Sequence, residues 1–363
     1  MSFWVSLVRM PLLSEFSDSN RTTLARNALV LQLEQGGIEA LSECVTDETP
    51  SCTGEDNATA LQLIRDVFGD RLRGEPPEPG EFLEAVKDVR GHQMAKAAVE
   101  MLLWDYSAKV SGRPLDEALG ESRGYAEAGI ALGLGREEEI KSRIEGALER
   151  GYKRIKVKID REKALDRLKF VRDAFPDIPL CADANGCFEL RRDLATLKGI
   201  DRFELQYLEQ PLGYPRLVDH SRLAREVSTP ICLDESVTTL ESAEEALDLG
   251  AAEVINVKPG RVGGLTVAVK IARIARNGGA HVWVGGMLET GVGRGFNVAL
   301  ASQKRFDYTG DISPNDRHFV RDLVKNPFSM KDGRVKPNRG AGVGVEMDAD
   351  FLARVTISSW KIF

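Results

Sequence analysis

A strand followed by a helix recurs about every 25 residues through the middle of this chain, and that period limits the fold more than any other feature. Five short apolar stretches carry it: Arg154-Ile155-Lys156-Val157-Lys158, Leu180-Cys181-Ala182-Asp183, Tyr207-Leu208-Glu209, Ile231-Cys232-Leu233-Asp234 and Val254-Ile255-Asn256-Val257-Lys258. Their last residues lie 25, 26, 25 and 24 positions apart. A sixth stretch, His281-Val282-Trp283-Val284, runs into Gly285-Gly286. Strands that alternate with amphipathic helices form a parallel sheet with the helices outside. A doubly wound sheet and a closed barrel both fit the alternation. The regularity favours the barrel, and so does the count, because a strand near 126–132 and another near 306–310 bring the units to eight. The active site of such a barrel sits at the C-terminal rim, on the strand ends. Lys158, Asp183, Glu209, Asp234 and Lys258 fall there.

The flanks read differently. The first 125 residues are mixed α+β, with strands at 4–8 and 29–33 and a turn at Gly36-Gly37. Residues 14–23 and 46–57 are polar and irregular and are expected as loops. Helices are expected at 57–69, 80–88 and 93–110, the last with a broad buried face through Met94, Ala97, Ala98, Met101 and Leu102. The tail, 325–363, is Gly-rich and then strand-like, and is expected to return to the N-terminal part. The organisation predicted is a capping domain, 1–125 with 325–363, and a barrel domain, 126–324.

The chain has 363 residues, 49 Lys+Arg against 56 Asp+Glu, and a net charge of −7. An acidic chain without a basic block argues against nucleic acid or anionic membrane as a partner. No apolar run approaches the roughly 18 residues of a membrane span. Met1-Ser2-Phe3-Trp4-Val5 has no basic region of the kind that opens a signal peptide, so none is expected. The five cysteines form no C-x-x-C pair, and the four histidines have no ligand spacing. That pattern fits a reducing cytoplasm and buried thiols, with neither a disulfide framework nor a His-based zinc site.

Three carboxylates on adjacent strand ends repel and resist ionising together. A hard divalent cation resolves this, and all-oxygen ligation by Asp183, Glu209 and Asp234 favours Mg²⁺ or Mn²⁺. Two lysines flank them on strands that lie across the barrel mouth from each other. A lysine near a divalent cation and a second lysine is expected to have its pKa lowered toward neutrality, where it serves as a general base. Lys156, two residues before Lys158 on the same side of the strand, is expected to lower the pKa of Lys158 further. Together these parts suit removal of a proton α to a carboxylate, with the metal holding the enediolate. The substrate is then a small carboxylate.

These residues resemble the enolase superfamily, muconate-lactonising subgroup, and more narrowly the o-succinylbenzoate synthase / N-acylamino acid racemase family. The resembling segments are Lys156-Val157-Lys158-Ile159, Asp183-Ala184-Asn185, Glu209-Gln210-Pro211-Leu212, Cys232-Leu233-Asp234-Glu235-Ser236, Lys258 to Gly264, and Gly285 to Arg294, in order over most of the chain. The resemblance implies a (β/α)₇β barrel of the TIM type with an α+β capping domain made by the N-terminal segment and the tail. It implies Mg²⁺ on Asp183, Glu209 and Asp234, Lys158 as the base, and Lys258 as enediolate stabiliser or second acid/base. It implies substrate contacts from Asn185 and from Gly285, Gly286 and Met287, and a homo-oligomer. The activity implied is dehydration of 2-succinyl-6-hydroxy-2,4-cyclohexadiene-1-carboxylate to o-succinylbenzoate, a step of menaquinone biosynthesis. Racemisation of N-succinyl or other N-acyl amino acids is the alternative on the same residues.

The pattern departs from its neighbours in places. Dipeptide epimerases of the superfamily carry Asp-x-Asp on the eighth strand, whereas this chain has Asp311-Ile312-Ser313. Mandelate racemase-like members use a His-Asp pair where this chain has Lys258 and Gly286. The capping loops at 17–21 and around Cys52, and Gly186-Cys187-Phe188, also differ from common family sequences. Glu235 could be a spare ligand, but strand alternation points it away, so it is expected behind the metal ligands or on the barrel exterior. Arg261 and Arg294 either steer substrate carboxylates or pair with neighbouring acids. Gly291, Gly293 and Gly295 read as a flexible loop and not as a phosphate cradle.

Overall fold

The fold is that of a computed structural model, which describes residues 1–17, 22–50 and 53–363. The N-terminal part is an antiparallel sheet with helices on one side. Its strands are β1 (Ser2–Ser17), β2 (Thr22–Gln35) and β3 (Ile38–Cys44). Gly36 and Gly37, both at positive φ, make the expected turn between β2 and β3. The 14–23 loop is not seen as one: pairing continues to Phe16↔Thr23 and Ser17↔Thr22. Backbone pairing accepts polar residues, so polarity alone misplaced that boundary. Residues 18–21 of that capping loop, and Cys52, lie outside the described residues.

The helix expected at 57–69 is α-helical only over Asn57–Leu63 and then changes pitch twice before Leu72. The helices Pro79–Ala85 and Gln93–Val110 stand where the sequence puts them. Two buried glutamates of this layer cap helices of the barrel. Glu100, on the helix Gln93–Val110, accepts hydrogen bonds from the backbone N of Leu265 and Thr266, both at 2.8 Å. Those residues open the helix Leu265–Asn277. Glu43, on β3, accepts from Thr290 N at 2.9 Å, Thr290 Oγ1 at 2.7 Å and Gly293 N at 3.1 Å, at the start of the helix Gly291–Ala301. A carboxylate at a helix N-terminus satisfies orphan N–H groups and complements the dipole. Burial nevertheless pushes both acids up to about 7.

After a short strand β4 (Ala126–Glu127), the chain builds one parallel sheet. Its strands are β5 (Gly129–Leu132), β6 (Arg154–Lys158), β7 (Leu180–Asp183), β8 (Leu208–Glu209), β9 (Ile231–Leu233), β10 (Val254–Val257) and β11 (His281–Val284). They neighbour one another in sequence order, with a helix after each. An eighth strand at 306–310 does not form. The segment instead closes the barrel by single bonds: Tyr308 N and Asp311 N donate to Val282 O and Val284 O, and Gly129 N donates to Gly310 O at 2.7 Å. A Cβ at Gly310 would stand 2.5 Å from Val284 O, so glycine permits the approach that joins the two edges. The architecture is a (β/α)₇β-type barrel with a separate antiparallel capping layer.

The tail pairs in two places. The hairpin of β12 (Met330–Lys331) and β13 (Arg334–Val335) lies on β4, and β14 (Thr356–Lys361) adds to the sheet beside β1. The 291–295 glycines open a helix and not a loop, and their missing side chains leave room for Val324, Glu43 and Val343. Deep in the barrel, Cys181, Tyr207, Cys232, Val254 and Trp283 form a buried layer. The described cysteines are free thiols. No helix among the described residues is long and apolar enough to cross a membrane.

Candidate active site

Parallel register sets the site's first row. Lys158 on β6 is opposite Asp183 on β7, which is opposite Glu209 on β8. Glu209 is in turn opposite Cys232 on β9, so Asp234 follows one step beyond that strand's end. Three strands separate β6 from β10, which puts Lys158 and Lys258 on opposite sides of the closed mouth. Between them lies a cavity of about 400 Å³, lined by Lys158, Asp183, Asn185, Asp234, Lys258 and Met287 among others.

The predicted residues converge here with different jobs. Lys158 Nζ donates to Asn185 Oδ1 at 2.6 Å and stands 3.7 Å from Asp183. Lys258 Nζ is 2.9 Å from Asp234 Oδ2, and Arg261 holds the other oxygen of Asp234. Gly286 and Met287 line the cavity. Gly285 does not: a Cβ there would overlap Asn256 Oδ1 and stand 2.9 Å from Lys258 Cε. Its role is to make room for the lysine.

Lys156 acts as an internal counter-ion. Its Nζ is 2.7 Å from Glu209, 2.8 Å from Asp311 and 3.8 Å from Asp183, and it lies over the Trp283 ring. Burial disfavours its charge, yet Asp311, Glu209 and Asp183 hold it protonated well above the usual lysine range. Lys258 is also raised, because Asp234 outweighs burial. The carboxylates that face Lys156 and Lys258 thus act against the lowering expected from a divalent cation and a second lysine.

The acids divide accordingly. Burial pushes Glu209 up to about 8, Lys156 opposes this, and Asp183 and Asp234 add to it. Asp234 resists burial and stays below the usual carboxylate range because of Arg261 and Lys258. Asp183, Glu209 and Asp234 are at most 4% exposed and offer only oxygen. Among the described residues no three His, Cys, Asp or Glu side chains stand as a ready coordination shell, since these three are turned onto Lys156, Lys158, Lys258 and Arg261. The donor chemistry fits a hard divalent cation, and the upward push on Glu209 is the stress that added positive charge relieves.

Two cavity residues escaped the sequence reading, and three others were left open or turned the wrong way by it. Glu235 lines the cavity and accepts a hydrogen bond from Asn185 Nδ2 at 3.0 Å. Alternation gave the wrong side because β9 ends at Leu233, before Glu235. The turn that follows is shaped by Gln210, whose Oε1 accepts from Asp234 N and Ser236 N. Burial first, then Asp234 and Asp183, push Glu235 up to about 7. Arg261 pairs with Asp234, and Arg294 with Glu289 at 3.2 Å, so both have neighbouring acids as partners while lining the wall. Arg317 and His318 also line the wall, from the loop after the closing segment, and burial pushes His318 down to about 3. No pattern in the sequence marks that loop.

Comparison with known proteins gives the family. Residues 8–120 match the mandelate racemase / muconate lactonizing enzyme N-terminal domain, and residues 139–351 match the enolase C-terminal domain-like family. An N-succinylamino acid racemase of Thermus thermophilus is 42% identical over 353 residues, covering 97% of this chain and 95% of that protein. An o-succinylbenzoate synthase of Bacillus subtilis is 38% identical over 347 residues, covering 95% and 93%. The crystal structure of an enolase-superfamily member from Listeria innocua superposes with a TM-score of 0.96 at 33% identity, covering 100% of this chain and 98% of that one. The chain belongs to the enolase superfamily and is an enzyme of its mandelate racemase / muconate lactonizing branch.

Proposed function

We propose that this enolase-superfamily enzyme is an o-succinylbenzoate synthase. It takes the proton α to the ring carboxylate of 2-succinyl-6-hydroxy-2,4-cyclohexadiene-1-carboxylate, and the 6-hydroxyl leaves as water. The observation that carries the reading is the opposed pair Lys158 and Lys258 in one cavity above Asp183, Glu209 and Asp234. Asp183, Glu209 and Asp234 would hold Mg²⁺ or Mn²⁺, which supplies positive charge for the oxygens that become negative as the proton leaves.

Lys158 is the base. Its nearest partner is the neutral oxygen of Asn185, and it faces the cavity. Lys258, ion-paired to Asp234, presents a positive charge from the other face and stabilises the enediolate. Gly286 and Met287 border the space for the succinyl chain. The acid of the closing segment that lines the cavity, Asp311, is occupied by Arg154 and Lys156. It is thus not free to hold a substrate ammonium group, which weighs against a dipeptide substrate.

Racemisation of N-succinyl amino acids is the second reading. The same opposition of two lysines favours it, because a proton removed on one face can be replaced on the other. The test is a pair of kcat/KM values on one Mg²⁺-loaded preparation, for the cyclohexadiene substrate and for N-succinyl amino acids. The synthase reading expects the first to be larger. A larger value for the amino acids reverses the order of the two readings.

A further inference from the structure

We propose that Glu235 is a positioning residue for Lys158 and acts through Asn185. The three side chains form one hydrogen-bonded chain at the cavity wall. Lys158 Nζ donates to Asn185 Oδ1 at 2.6 Å, and Asn185 Nδ2 donates to Glu235 Oε1 at 3.0 Å. The Lys158 amine donates to Asn185 Oδ1, which leaves its lone pair free for the substrate proton, and the Glu235 oxygen facing Asn185 is an acceptor. A carboxamide between them therefore stands with oxygen toward the lysine and nitrogen toward the glutamate. Reversed, it would set donor against donor and acceptor against acceptor. Glu235 thus decides which end of Asn185 meets the base. Its oxygen accepts in either charge state, because a proton would reside on the other oxygen.

The backbone holds both ends of this arrangement. Asn185 lies at φ +43°, a region that asparagine enters more readily than most residues, and its N–H donates to Asp183 Oδ1 at 3.0 Å. Gln210 braces the turn that carries Glu235, accepting from Asp234 N at 3.0 Å and Ser236 N at 3.2 Å. Glu235 Oε2 is buried without a partner among the described residues, so the Asn185 contact is the side chain's one hydrogen bond. Lys258 depends on nothing comparable: it bonds Asp234 directly at 2.9 Å. The two lysines are held by different hydrogen bonds, and Glu235 takes part in only one of them; toward Lys258 it adds attraction through space.

The consequence is an asymmetry, which rests on the proposed α-proton chemistry. Lys158 and Lys258 reach an α-carbon from opposite faces, so in α-proton exchange each serves one enantiomer. Loss of Glu235 slows exchange through Lys158 far more than exchange through Lys258, whose hydrogen bond to Asp234 remains. The experiment compares wild type, Glu235→Leu and Glu235→Gln, each loaded with Mg²⁺, in deuterated water. Exchange of the α-proton is followed by NMR for the two enantiomers of one N-succinyl amino acid separately.

Glu235→Leu is expected to slow one enantiomer by about 10- to 100-fold, the scale of a base misplaced by roughly 1 Å, and to slow the other far less, since Lys258 loses only an attraction through space. Glu235→Gln, which still offers Asn185 an oxygen, is expected to restore most of the loss. Equal loss for both enantiomers, or no loss in Glu235→Leu, overturns the proposal. A wild type that exchanges neither enantiomer and converts no cyclohexadiene substrate counts against the proposed function instead. The crystal structure of Glu235→Leu then decides the positioning role by itself. A turned Asn185 amide with Lys158 released supports it, and an unchanged Lys158–Asn185 contact overturns it.

Discussion

Asp311→Asn isolates the charge balance beneath the site. Asp311 Oδ1 accepts from Arg154 Nη2 at 2.5 Å, and Oδ2 is 2.8 Å from Lys156 Nζ. Arg154 is 1% exposed, lies over the Trp283 ring, and has Nε and Nη1 without partners. Asp311 is its one ion-pair partner among the described residues. Asparagine keeps the shape but removes the charge, and it turns a donor toward one of the two cations. Breaking one partner of a buried pair costs about 3–5 kcal/mol, because the remaining charge stays in a medium that solvates it poorly. The side chain of Asp311 is 20% exposed, which places the expected loss at the lower end, about 3 kcal/mol.

Chemical denaturation at pH 7 measures it directly. Replacing Arg154 by Met in the same protein is expected to recover part of the loss, since it removes the buried charge left unpaired. The pH dependence has a definite sign. Arg154 and Lys156 hold Asp311 below its ordinary value of 3.8 against the effect of burial. Its contribution is therefore present above pH 3.8 and disappears as pH falls below that value. An Asp311→Asn protein within about 0.5 kcal/mol of wild type at pH 7, the ordinary range for a surface change, would refute the counter-ion assignment.

Other consequences follow from the same geometry. Gly285→Ala puts a methyl group against Lys258 Cε and Asn256, so kcat should fall by about 10- to 100-fold with KM little changed, as steady-state kinetics would show. Glu43 and Glu100 are raised by burial from 4.5 to about 7, so folding is favoured while they are protonated. The stability they lend is complete below pH 4.5 and is lost as pH rises through about 7, at about 1.4 kcal/mol per pKa unit. Thermal melts in chelator should therefore show a midpoint that declines from pH 5 to 8, and Glu100→Gln should decline less steeply; identical slopes would contradict the buried-acid account. Mg²⁺ affinity measured by calorimetry should rise between pH 6 and 9, because Glu209, pushed up to about 8, must lose its proton to ligate. Affinity that is flat over this range would count against Glu209 as a ligand.

The barrel was legible because its period is long and regular, and because parallel register turns spacing into position. Asp183 and Glu209 are neighbours in space for the same reason that they end successive units. What stayed hidden depends on details shorter than a strand. The closing segment reads as a strand but makes only scattered bonds, since Gly310 sits against the backbone of Val284. Glu235 was misplaced because alternation stops with β9, and the turn braced by Gln210 sets its direction instead. The acids facing Lys156 and Lys258 raise both lysines, a contribution that spacing along the chain does not display. Arg317 ends a single 3₁₀ turn, Asn315–Arg317, and His318 caps it; so short a turn has no periodicity to indicate which side chains face inward.

The central claim is that Lys158 removes an α-proton in this cavity. Its most direct test is turnover of the cyclohexadiene carboxylate with Mg²⁺, comparing wild type and Lys158→Ala. The account predicts conversion to o-succinylbenzoate by wild type and its abolition in a variant that remains folded. Undiminished turnover in Lys158→Ala, or none in a wild type saturated with metal, would contradict it.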